Sequence, residues 1–257
     1  MSEFGHFLHA VRFLTVVPVP AAAGHLEPDW LSRCAKYFPL VGAGVGLVSA
    51  AVFLLAHQLW SGALPALLAV MAAIMLTGAF HEDGLADTID GLGGGWSREA
   101  RLTIMKDSRI GTYGALALGF SVVLRVAALA SLPAYLGAVA LVAAQGGSRI
   151  VPIAVMRRLR YAGDPAAGKV LHSNEGPRAA EFAVAIGFAL VALLPLAWTA
   201  PLAAAAAAAG GVVLAAWFAA FAHNLLGGYT GDVLGGIEQL FEIGFMVCIA
   251  AMVSVWM

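Results

Sequence analysis

Long stretches without a single Asp, Glu, Lys or Arg constrain this chain more than any other feature. Residues 40–60, 61–80 and 201–222 are such runs, and 182–200 is a slightly shorter one. Roughly 20 helical residues cross the ~30 Å hydrocarbon layer of a bilayer, and only helices or closed barrels satisfy their backbone polar groups there. Two further apolar stretches, 112–132 and 134–156, carry one arginine each, Arg125 and Arg149. The stretch 243–257 spans only if its helix begins near Val233 and draws Glu238 and Glu242 in from the membrane edge. The pattern predicts an all-α, polytopic integral membrane bundle of about seven transmembrane helices. The segment from Phe4 to Val17 is shorter, holds His6, His9 and Arg12, and ends at Pro18-Val19-Pro20. It reads as a short interfacial or half-inserted helix. A signal peptide is not expected, because no small-residue cleavage site follows a basic start. One domain, 1–257, accounts for the whole, with polar loops at about 81–111 and 157–179.

Composition agrees. The chain is 61% hydrophobic and 11% charged, whereas soluble domains carry about 25% charged residues. A water-soluble core, a disordered chain and a nucleic-acid-binding module are excluded on that ground. Cys34 and Cys248 lie too far apart in sequence to suggest a metal knuckle or a disulfide framework. Eleven of the fourteen Lys and Arg residues sort onto one side of the expected spans: Arg33, Lys36, Arg98, Arg101, Lys106, Arg109, Arg157, Arg158, Arg160, Lys169 and Arg178. The turns near 60–62, 133–134 and 199–201 carry no charge. Positive residues mark the cytoplasmic side, so these loops are expected there, with the lipid bilayer as the chain's solvent.

Carboxylates are scarce, 15 in all, yet Glu82, Asp83, Asp87 and Asp90 fall within nine residues at a membrane boundary. No turn signal is read between Leu76 and His81, so the helix is expected to run on. Asp83, Asp87 and Asp90 then share one face at i, i+4 and i+7. Stacked like charges repel, and a cation among them resolves the conflict; oxygen-only ligands favour Mg²⁺, Mn²⁺ or Ca²⁺ over zinc. The plainer reading is a solvated acidic helix end. Glu82 points about 100° away from Asp83 and is the least expected to join, and His81 reads as a packing or hydrogen-bonding residue. A second acidic element, Gly227-Gly228-Tyr229-Thr230-Gly231-Asp232, leads into the last predicted helix, where Thr230 is placed to cap. Asp232, Gln239 and Glu242 again share a face, while Glu238 is expected to face solvent. A capping turn alone would also explain this element. The basic partner is Lys106-Asp107-Ser108-Arg109-Ile110-Gly111-Thr112 before the third span. Lys106, Ser108 and Arg109 beside a helix start suit a phosphate, or serve only as a positive-inside anchor. Arg125 and Arg149 are expected to face the interior, pair with a carboxylate or substrate, or snorkel. Gln145 and Ser148 suggest a polar face around Arg149, a further phosphate-binding candidate.

These segments carry a resemblance. "GAFHEDGLADTIDGL", "IMKDSRIGTYGALAL" and "GGYTGDVLGGIEQLFEI", with "FLTVVPVP" and "AKYFPLVG" near the start, resemble the cobalamin synthase family, adenosylcobinamide-GDP ribazoletransferase. The match covers most of the chain in the expected order. The resemblance implies an inner-membrane, Mg²⁺-dependent transferase of a substituted phosphate group. Its substrates would be adenosylcobinamide-GDP and α-ribazole or α-ribazole 5′-phosphate, with GMP released. In that chemistry Asp83, Asp87, Asp90 and Asp232 are candidate metal ligands, and Asp232 or Glu242 is the candidate acceptor of the nucleophile's proton. Lys106, Ser108, Arg109 and Arg149 are candidates for the phosphates. An oligomer of identical chains is compatible with the sequence.

Two other classes meet obstacles. A CDP-alcohol phosphotransferase needs Arg after the motif's Ala and a further Asp pair, but Ala86 is followed by Asp87. A cation- or proton-coupled transporter would show midplane carboxylates and two related halves. Here no repeat is visible, and the carboxylates are expected at the cytoplasmic helix ends.

Overall fold

The computed structural model describes residues 2–20, 29–163 and 176–256. The loop residues Asp164, Pro165 and Lys169 lie outside them. The described chain is helical throughout: α1 (Glu3–Leu14), α2 (Trp30–Cys34), α3 (Phe38–His57), α4 (Leu64–Thr77), α5 (Phe80–Gly94), α6 (Arg98–Ile104), α7 (Thr112–Ala130), α8 (Ala134–Gly147), α9 (Ile150–Arg158), α10 (Ala179–Thr199), α11 (Pro201–Leu226) and α12 (Gly231–Trp256). Six stretches are long and apolar enough to cross a membrane: Trp30–His57, Thr112–Ala130, Ala134–Arg158, Ala179–Thr199, Pro201–Leu226 and Gly231–Ser254. The pair α4 and α5 is long and apolar enough only together, as a broken seventh span or a re-entrant loop. Helix α12 begins two residues before Val233 and carries Glu238 and Glu242 inward, as a span there requires.

The break between α4 and α5 corrects the expectation of a continuous helix. Gly78 and Ala79 both adopt the left-handed conformation, at φ 64° and 58°, and the axes turn by 88°. Gly78 is the ordinary left-handed stop after a helix, and Ala79 N donates back to Ile74 O at 2.9 Å. The N-terminal arm seals the corner. Val16 N donates to Leu76 O at 2.9 Å, and a side chain added at Gly78 would stand 2.7 Å from Val16 Cγ1. Phe13 of α1 stacks on Phe38 at 5.7 Å and meets Phe80 edge-on at 5.4 Å. The segment "FLTVVPVP" therefore braces the point where α5 leaves α4.

At one end of the bundle the connections interlock. Residues 160–162 pair with Tyr229 through Ala162 N to Tyr229 O (2.7 Å) and Tyr229 N to Arg160 O (3.0 Å). Arg98 Nε donates to Leu226 O (2.7 Å) and its Nη2 to Ala162 O (2.8 Å), while Arg101 Nη1 reaches Leu225 O (3.3 Å). These arginines satisfy the carbonyls that every helix leaves open at its C-terminus, here that of α11.

Candidate active site

Helix α5 brings Asp83, Asp87 and Asp90 along one face, and α12 brings Asp232 against it. The approach is close because Gly84 carries no side chain; a Cβ there would lie 2.8 Å from Asp232 O and 3.1 Å from its Cα. The first turns of α5 and α12 thus meet. Each helix start presents unpaired N–H groups and a positive dipole end. Asp83 and Asp232 sit in those first turns, where negative charge is favoured. Asp83 is exposed, and Asp87 and Asp232 are half-buried. Thr230 caps α12, its hydroxyl accepting from Val233 N at 3.2 Å.

Asp90 is used differently. Its carboxylate accepts from Gly111 N at 2.7 Å and from Gly114 N at 2.8 Å, and it is buried. It occupies the start of α7, the place where a phosphate was expected. Just before that start, Lys106, Ser108 and Arg109 are exposed on the loop leaving α6. Arg109 forks onto Asp107, with Nη2 to Oδ2 at 2.7 Å and Nε to Oδ1 at 3.1 Å. Bonds from that guanidinium and from the Arg109 backbone N–H hold the Asp107 carboxyl down at about 2.

The remaining candidates, Glu242 and Arg149, belong to the interior. Asp232 and Glu242 share a helical face but stand about 15 Å apart along the axis, at ~1.5 Å per residue. Glu242 Oε2 meets Arg125 Nη1 at 3.0 Å and its Oε1 lies 3.5 Å from Arg149 Nη1. Arg149 is 1% exposed. Its Nη1 donates to Gln145 Oε1 at 2.8 Å and Ser148 Oγ at 2.7 Å, and its Nη2 meets Glu238 Oε1 at 2.8 Å. Two expectations are corrected here. Glu238, expected in solvent, is buried, because α5, α8 and α9 all pack on the α12 face that carries it. The carboxylates also do not all gather at the helix ends, since Glu82, Glu238 and Glu242 lie inside. Glu82 does turn away from Asp83, as expected, and meets Arg125 Nη2 at 3.1 Å. Sequence spacing shows that Arg125 and Arg149 need partners but not which helix supplies them.

Among the described residues no three His, Cys, Asp or Glu side chains stand close enough to chelate a metal by themselves. The donor chemistry at the α5–α12 contact is nevertheless oxygen-only. Mg²⁺ takes one or two carboxylates and completes its shell with water and substrate oxygens, which Asp83, Asp87 and Asp232 fit.

Six apolar helices and a broken seventh, with acidic and basic side chains gathered at one end, define a polytopic membrane protein. Residues 6–250 match the family model described as cobalamin-5-phosphate synthase. A protein of Leptothrix cholodnii named adenosylcobinamide-GDP ribazoletransferase is 44% identical over 243 residues, covering 92% of this chain and 91% of its own. Proteins of the same name from Azorhizobium caulinodans (43% over 247 residues, 93% and 92% covered) and Shewanella frigidimarina (37% over 246 residues, 95% and 93% covered) are similarly close. The chain belongs to the cobalamin-5-phosphate synthase family. No solved structure matches it.

Proposed function

We propose that this chain joins adenosylcobinamide-GDP to α-ribazole or α-ribazole 5′-phosphate and releases GMP. The observation that carries this reading is the close approach of α12 at Asp232 to Gly84 of α5, the helix that bears Asp83 and Asp87, in a chain related to the ribazoletransferases along almost its whole length. The ribose 3′-hydroxyl of α-ribazole attacks the phosphorus next to the aminopropanol of cobinamide, and the bond to GMP breaks. Mg²⁺ held by one or two of Asp83, Asp87 and Asp232 would supply positive charge against the pyrophosphate as the leaving group forms.

The chain's own residues divide the remaining work. Lys106 and Arg109 neutralise the phosphates, with the Ser108 hydroxyl as a further donor. Arg109 exchanges its Asp107 partner for phosphate as substrate arrives. Asp232 takes the nucleophile's proton, since Glu242 is committed to Arg125 inside the bundle. Asp90 holds the start of α7, and with it the basic loop, against α5. This end faces the cytoplasm, a reading that the positive-inside distribution supports, and the membrane is the bacterial inner membrane, as in the resemblance.

Purified protein in liposomes, supplied with adenosylcobinamide-GDP, α-ribazole and Mg²⁺, is expected to release GMP and form the joined product. Folded protein that releases none refutes the reading, and CMP release from a CDP-alcohol would favour the analogous phosphotransferases. A cysteine at exposed position 103 should react only with reagents reaching the cytoplasmic side; labelling from the opposite side overturns the orientation.

A further inference from the structure

The interior charges close into a ring. Glu82 Oε1 lies 3.1 Å from Arg125 Nη2, and Arg125 Nη1 lies 3.0 Å from Glu242 Oε2. Glu242 Oε1 lies 3.5 Å from Arg149 Nη1, and Arg149 Nη2 lies 2.8 Å from Glu238 Oε1. Glu238 Oε2 also lies 3.1 Å from His81 Nε2, a contact without a hydrogen bond, one residue from Glu82 where the circuit began. All six residues are at most 7% exposed. The two ends of the circuit, His81 and Glu82, immediately precede Asp83. Helix α5 is thus tied to α12 through Glu82, Arg125 of α7 and Glu242, and touches it at His81 and Glu238. Arg149, from the junction of α8 and α9, bridges two glutamates one turn apart on α12. Ser121 Oγ adds a bond to Gln239 Oε1 at 3.1 Å.

A ring of this kind is a costly way to gain stability. Burying charges costs more than packing apolar groups of the same volume, and the best-attested return is a fixed register. Intramembrane charges carry the same penalty and mark function. The ring also leaves no room for substrate: beside Arg125, Gln145 and Glu242 there is a cavity of about 10 Å³, space for a single water. Direct contact with the reacting phosphates is therefore not its task.

We infer that Glu82, Arg125, Glu242, Arg149 and Glu238 are positioning residues that set the register of α5 against α12, and so the placement of Asp83 and Asp87 opposite Asp232. This rests on the reading of those three aspartates as the metal face. Sliding α12 by one residue along its axis would break the Glu82–Arg125–Glu242 link to α5 and carry Asp232 about 1.5 Å away from Gly84. Glu242 acts through the helices it joins, not as the acceptor of the nucleophile's proton.

The test is a charge-removal pair, read by kinetics and by metal binding. Arg125→Gln should lower kcat about tenfold or more, the scale of outer-shell losses, with KM for adenosylcobinamide-GDP within about twofold. Glu82→Gln combined with Arg125→Gln leaves one unpaired charge fewer, and should regain about threefold or more in kcat over the single variant. Mn²⁺ binding to the same detergent-purified proteins without substrate, followed by electron paramagnetic resonance, should weaken in the single variant and recover in the pair. Wild-type kcat and Mn²⁺ affinity in folded Arg125→Gln overturn the inference. So does a loss confined to KM, which would assign Arg125 to substrate, or a pair no better than the single variant. Should Arg125→Gln not fold, Arg125→Lys, which keeps the charge but loses the fork, carries the same expectation and the same refuting results. GMP release by the wild-type protein is the separate control for the reaction itself.

Discussion

Replacing Asp90 with asparagine removes the charge that receives two backbone N–H groups at the start of α7, from Gly111 at 2.7 Å and Gly114 at 2.8 Å. A hydrogen bond to a charged group contributes about 1.5–3 kcal/mol. Asparagine can still accept one of the two bonds but turns an N–H₂ toward the other donor. The net loss is therefore about 2–3 kcal/mol, in the upper range of helix N-caps. Because each ~1.4 kcal/mol is a factor of ten, the Gly111 and Gly114 amides should exchange hydrogen about 30- to 150-fold faster than in the wild type. Asp83→Asn supplies the contrast. Asp83 is exposed, so its replacement should change stability by no more than about 0.5 kcal/mol while removing most of the activity. Hydrogen exchange with mass spectrometry on peptides covering 108–116, alongside GMP release, separates the two. Unchanged exchange at the α7 start in Asp90→Asn would refute the capping role, and a destabilised Asp83→Asn would refute the assignment of Asp83 to chemistry.

Three further outcomes follow from local geometry. The Asp107 carboxyl, held at about 2 by Arg109 against an ordinary value of 3.8, keeps its pairing at full strength above pH 3.8 and loses it as pH falls toward 2; a carboxyl NMR titration with a midpoint near the ordinary value would refute the fork. Asp107→Asn releases Arg109 for phosphate and should lower KM for adenosylcobinamide-GDP by up to about fivefold, and a raised KM would count against Arg109 as a phosphate ligand. Ala79→Gly should raise stability by up to about 1 kcal/mol, because a residue with a side chain is strained in the left-handed conformation. A lowered melting midpoint would contradict that account of the α4–α5 corner.

The spans were legible because hydrophobic length is a one-dimensional property: charge-free runs and a few tolerated arginines locate them without knowledge of any neighbour. The acidic face of α5 was legible for the same reason, since i, i+4 and i+7 lie on one helix. Gly78 did not read as a stop signal, because glycine is common within membrane helices and the apolar run continues past it. Glu238 and Glu82 were not assignable. Their partners, Arg149 and Arg125, come from helices more than 40 residues away, and the side a helix turns inward depends on which neighbours reach it. Asp90 illustrates the same limit. Its spacing fits a metal face, and only the approach of Gly111 and Gly114 shows that backbone donors claim it.

The ring also imposes an order on assembly. Glu238 and Glu242 are synthesised after α5, α7, α8 and α9 have already been delivered to the membrane, so Arg125 and Arg149 enter the bilayer well before their α12 partners exist. Until α12 arrives, Arg125 has only Glu82 of α5 as a carboxylate partner, and Arg149 only its neighbours Gln145 and Ser148. Insertion of α12 is then the step that turns separately delivered helices into a single cooperative unit.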